Sequence, residues 1–244
     1  MKKIFGVAAV LALLTGGLAT SALAQCGTGD MIDFDADGFA FETVYNPLTF
    51  HSTVGSTLKI VGNVHLFCAP LAFLNPADPT KEYTFLCTLT SAGSVHFGPF
   101  SGFNYHETDY TAGTWEIHEG SPEDAPTDAG GMPALPSPLV PATFINGPVI
   151  LSGTLTNFHT SLSTQISTGN TNGSFRSDYK ATGGLYFPLI GSGSAVFQGL
   201  WCVMDEPAGC RPLTYSAHLN GKWDTPATTN VTKSTWGSLK QLYR

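Results

Sequence analysis

Short runs of β-forming residues, each stopped within a few positions by glycine or proline, recur along this chain and leave little room for helices. Residues 58–66 are rich in β-formers. Residues 83–89 alternate so that Tyr83, Phe85, Cys87 and Leu89 share one face. Residues 149–155, 185–187 and 195–197 continue the pattern. Alternation with a period of two puts every second side chain on one face of a sheet. Many such runs, separated by turn residues, predict an all-β fold: an antiparallel β-sandwich or jelly-roll-like domain. Only 12% of residues are charged and 42% are apolar. That suits a half-buried sheet surface better than salt-bridged helices.

The pattern breaks between residues 121 and 142, where Pro122, Pro126, Pro133, Pro136, Pro138 and Pro141 fall together. Proline removes a backbone donor and fixes φ, so regular strand or helix is excluded over most of that span. It reads as a Pro-rich loop inside a β-rich region covering residues 25–225. An inter-domain linker is the other reading.

The N-terminus carries Lys2 and Lys3, an apolar stretch over residues 4–14, and Ser21-Ala22-Leu23-Ala24. A basic start, a short apolar run and small residues before a cut site are the marks of a Sec-type signal peptide over residues 1–24, with cleavage before Gln25. The expected location is therefore secreted or periplasmic. No later apolar run reaches transmembrane length, so no transmembrane segment is expected. Export permits disulfides. Local pairing would join Cys68 to Cys87 and Cys202 to Cys210, leaving Cys26 as an unpaired thiol or the origin of an intermolecular bridge and self-association.

Residues 25–140 hold 14 Asp or Glu against two Lys, whereas residues 141–244 hold four acids against seven bases. An acidic first part repels phosphate, so nucleic acid is not an expected partner. A cation or a basic surface is favoured instead.

Two constellations of metal-ligating residues stand out. A two-residue turn at Ala112-Gly113 would fold residues 105–111 onto 114–119 and place Glu107, Asp109, Glu116 and His118 on one face. Three carboxylates together repel one another, and Ca²⁺ would relieve this; His118 would also admit Zn²⁺. The second is Asp33, Asp35 and Asp37 before Gly38, which has the start of a calcium loop without its closing glutamate at position twelve. In both, the plain alternative is a solvated polar face. Trp115, Trp201 and Trp223 could form a sugar-stacking platform but sit in core-like settings. The C-terminal segment, residues 226–244, places Trp236, Leu239, Leu242 and Tyr243 on one side of a short amphipathic helix that could dock the tail.

Serine-elbow, P-loop and zincin motifs are absent. The leading expectation is an exported, non-catalytic binding or surface-assembly protein, with Ca²⁺ as its candidate ion, whose partner is a cell-surface glycan or protein. The alternative is a secreted carbohydrate-active hydrolase using a carboxylate pair among Glu107, Asp109 and Glu116.

Overall fold

A computed structural model describes residues 26–34, 38–46, 50–121, 125, 142–201 and 217–226. The elements are β1 (Asp30–Asp33), β2 (Gly38–Glu42), β3 (Tyr45–Asn46), β4 (His51–Ser52), β5 (Thr57–Asn63), β6 (Leu66–Phe67), β7 (Glu82–Phe100), β8 (Phe103–Tyr110) and β9 (Gly113–Gly120). There follow β10 (Val149–Gln165), β11 (Thr171–Gly183), the one-turn helix α1 (Phe187–Ile190), β12 (Ser194–Trp201) and β13 (Ala217–Asp224).

The fold is all-β and every pairing is antiparallel. Around the main sheet β2 pairs β5, β5 pairs β7, β10 pairs β11, and β11 pairs β12. Strand β13 pairs β12 along one edge, and β1 and β2 along the other. The sheet therefore closes on itself. Its two broad halves face one another across one core, as the layers of a sandwich would. The lanes follow chain order as a meander, without the crossovers of a jelly roll. One connection shows why this order is easy to form. Ser101 and Gly102 both have left-handed backbone (φ 50° and 84°), the two-residue turn whose twist matches that of its flanking strands.

Strands β8 and β9 occupy a single lane. The first half of β7 pairs β9 and its second half pairs β8. Strand β10 does the same on the other side. The inward-facing Tyr110 and Trp115 are five residues apart, an odd spacing that requires a break in alternation between them. Thr111 and Ala112 supply that break.

The core is aromatic. Trp223 stacks on Phe197 with ring centroids 4.4 Å apart and meets Phe85 edge-on at 5.0 Å. Phe34 lies 4.8 Å from Phe85, and Trp115 meets Tyr179 at 5.5 Å. Trp115, Trp201 and Trp223 are all buried in this cluster, so none is a surface platform for sugar. A second, smaller cluster covers the outer face of β2, β5 and β7: Phe39, Phe41, Val61 and Leu86 pack with Ala125 and Phe144. Thr84 Oγ1 donates to the Phe144 carbonyl at 3.0 Å, and the Ala125 amide donates to Glu82 Oε1 at 2.6 Å. Residue 125 and the turn at residues 142–144 thus lie against the sheet, which is why β2 is buried on both faces.

Two sequence expectations change. Residues 185–187 are not a strand: Pro188 sits in the first turn of α1, where its missing N–H costs no ladder hydrogen bond. Cys68 bonds Cys26 and not Cys87. Cys87 is a free thiol facing the core from β7, while Cys68 follows β6 next to β1. Residue 26 is thereby paired within its own chain, so an intermolecular bridge through it is overturned. Cys202 and Cys210, and the tail residues Trp236, Leu239, Leu242 and Tyr243, lie outside the described residues.

Candidate functional site

The metal face expected from an Ala112-Gly113 hairpin is not assembled. Glu107 and Asp109 stand on β8, and Glu116 and His118 follow them in the same lane. Opposite Glu107 on β7 is Val95, and opposite Glu116 is Leu86. Nine residues of strand thus separate the two carboxylates, about 30 Å at the usual rise. Gly113 is needed for close approach, since a Cβ there would stand 2.2 Å from the Thr88 carbonyl. Asp109 instead meets a residue outside the set, and Glu116 and His118 meet each other. Asp109 lies 2.8 Å from His159 Nδ1, and Glu116 lies 3.3 Å from His118 Nε2. His118 is buried under the segment that contains Gly147, whose carbonyl is 3.4 Å from its Nδ1. Among the described residues, no three His, Cys, Asp or Glu side chains meet as metal ligands. Asp33 closes β1 and borders the outer groove described next; Asp35 and Asp37 lie outside the described residues.

Two concavities are described. The larger, about 470 Å³, is a groove on the outer face of β11, β12 and β13. Register places its side chains in two cross-strand rows. Arg176, Gln198 and Lys222 form one row, and Ser174, Leu200 and Asn220 the other. Paired positions share a face, and adjacent lanes are about 4.8 Å apart, so each row spans about 10 Å. Between the rows the paired Gly199 and Gly221 form the floor. A Cβ on Gly221 would stand 2.8 Å from both Phe175 Cζ and Phe34 Cζ; glycine there lets the core rings press up beneath the groove. The polar row is hydrogen-bonded across its width. Arg176 Nη1 donates to Gln198 Oε1 at 3.2 Å, and Gln198 Nε2 donates to Asp224 Oδ2 at 3.3 Å. Lys222 Nζ donates to Asp30 and lies 3.7 Å from Asp224. Burial, with the Asp30 charge nearby, pushes the Asp224 carboxyl up, while Lys222 opposes this.

The smaller cavity, about 270 Å³, lies where β4 meets the β7–β8 hairpin and includes Phe50, His51, Ser94, His96, Asn104 and His106. His106 is buried, and His51 and His96 stand at the rim. Burial pulls the His106 pKa down, and the neighbouring His96 and His51 add to this. Ser94 links the cavity to a polar group deeper in the sheet. Its Oγ accepts from the Ser52 amide at 2.8 Å and shares a hydrogen with Thr108 Oγ1 at 2.7 Å. Behind it, the Ser52 hydroxyl bonds Glu42 and stands 2.5 Å from Ser91 Oγ, and Tyr110 donates to Glu42 Oε2 at 3.2 Å. Burial pushes the Glu42 pKa up, against the pull of those hydroxyls.

Neither cavity was named by sequence reasoning. The groove residues alternate along β11 and β12, so their shared face was readable, but which strands lie side by side was not. His51, His96 and His106 stand 45 and ten positions apart in the chain, with no ligand spacing to mark them. Comparison with known proteins finds no matching family model, curated protein or solved structure.

Proposed function

We propose that this is an exported, non-catalytic binding protein that takes a polar, hydroxyl-rich ligand of the glycan type in the groove across β11, β12 and β13. The carrying observation is the two-row array of Arg176, Gln198, Lys222, Ser174, Leu200 and Asn220 over a glycine floor. Guanidinium, amide and ammonium groups suit sugar hydroxyls, and Leu200 supplies an apolar contact, exposed at 53%. Export rests on the signal-peptide pattern at residues 1–24. Ca²⁺ enters this reading only at residues 33–38, on the strength of their motif.

The hydrolase alternative needs two carboxyl groups within about 5–10 Å of each other across a cleft. Glu107 and Glu116, strung along one lane, are too far apart, and Glu107 and Asp109, about 7 Å apart on β8 by strand rise, line neither of the two concavities, with Asp109 engaged by His159. The Ser52 hydroxyl is held by Glu42 and Ser91, not by a histidine that could act as its base.

The test is a glycan array probed with the mature chain, followed by calorimetry on the strongest ligand. Arg176→Ala with Asn220→Ala is expected to weaken binding at least tenfold, about 1.4 kcal/mol, with the ligand recovered intact. Binding that ignores both substitutions, or release of a cleaved product, would overturn the reading.

A further inference from the structure

The β7–β8 register sets His96 directly opposite His106. Directly paired residues project from the same face, so both rings enter the smaller cavity. Their Nδ1 atoms are 3.3 Å apart and the rings are tilted by 47°. Two nitrogen ligands of one tetrahedral ion, each 2.0–2.1 Å from it, are separated by about 3.3 Å. The histidine pair therefore already has the bite of a metal chelate. In this structure the two Nδ1 atoms stand at hydrogen-bond distance, so a metal ion would take the place of the proton between them.

His51 lines the same cavity from β4. It is exposed at the rim, so a change of its side-chain rotamer is the movement that would bring in a third nitrogen. His106 is the fixed member: it is buried, and the Phe50 ring lies 5.4 Å away against it. The lining side chains include no carboxylate. That argues against Ca²⁺ or Mg²⁺, which require oxygen, and for a late first-row divalent ion, which imidazole suits. The cavity's volume of about 270 Å³ leaves space for a water or ligand in the fourth position.

From this geometry we infer that His96 and His106 form the preformed half of a binding site for a late transition-metal ion such as Zn²⁺, completed by movement of His51, since the three are not gathered as ligands in this structure; the site is separate from the outer groove and stands whether or not a glycan binds there.

Zinc titration of the untagged mature chain, followed by calorimetry, tests it. One ion per chain is expected. His96→Ala and His106→Ala should each weaken binding at least ~10-fold, His51→Ala should do so to a smaller degree, and His159→Ala, on the outer face, should leave it unchanged. Because His106 is buried, melting curves accompany each variant; if His106→Ala does not fold, the exposed His96→Ala decides. Cobalt titration adds a spectroscopic readout: intense visible bands of a tetrahedral nitrogen site that disappear in His96→Ala support the site. No zinc binding up to millimolar metal, or binding that survives His96→Ala undiminished, overturns it.

Discussion

Cys26 is covalently bonded to Cys68, 42 positions along the chain. The bridge ties the segment before β1 to the loop after β6, and β1 pairs β6 within the loop it closes. This is also the lane through which β13 closes the sheet.

Removing that bridge should destabilise the fold. Chain entropy for a loop of this length corresponds to about 4 kcal/mol as an upper figure. Cys26→Ser is expected to lower the melting temperature, and reductant should lower the wild type to the same value. A non-reducing gel should show no dimer that depends on Cys26. Equal melting temperatures with and without reductant would mean that the bridge does not hold this lane.

Glu42 should make stability depend on pH in the acid range. Its folded pKa is raised by burial, so the folded state holds a proton more tightly than the unfolded chain does. Its contribution is fully present below the unfolded carboxylate pKa, about 4.3, and is lost as pH rises through the folded value. Glu42→Gln keeps an acceptor for Tyr110 and carries no charge. Denaturant melts from pH 4 to 8 should therefore show a flatter profile for the variant. A variant profile as steep as the wild type's would assign the slope to other groups.

Trp223 should be among the most costly core side chains to truncate. It contacts Phe34, Phe85, Trp115 and Phe197 and stands on the strand that closes the sheet. Trp223→Ala is expected to cost about 3–5 kcal/mol, while Trp223→Phe should cost markedly less because the ring stack survives. Urea midpoints measure both. A loss under about 1 kcal/mol for the alanine would mean the cluster relaxes around the gap.

Gly153 should not tolerate a methyl group. A Cβ there would stand 2.0 Å from the Lys180 carbonyl and 2.6 Å from Trp115 Nε1. Backbone on one side and a core ring on the other cannot both give way. Gly153→Ala is expected to cost about 1–3 kcal/mol. Gly169→Ala, where nothing lies within 4 Å, should lose only the smaller amount due to its left-handed backbone.

Much of the fold was legible because alternation is local. Tyr83, Phe85, Cys87 and Leu89 do share an inward face, and residues 149–155 and 195–197 fall in β10 and β12. The candidate site was less legible. The face shared by Glu107, Asp109, Glu116 and His118 was read with the right parity for each half, yet the halves were folded onto one another. Ala112-Gly113 has turn residues, and nothing nearby in sequence reveals that β7 is long enough to pair both halves at once. The glycine serves close approach to Thr88, a purpose that is invisible without the neighbouring strand.

The sequence by itself determined the class of structure. Period-two patterning, glycine and proline punctuation and scarce charge leave antiparallel sheet as the way to bury these apolar faces. Partnership between distant residues was decided only by tertiary structure: Cys26 with Cys68, His96 with His106, and Arg176 with Gln198 and Lys222. The reason is physical. Side-chain alternation is set within each strand by backbone geometry. Register and strand neighbours are set by which long-range packing buries the aromatic core best, and that choice is made once for the whole sheet.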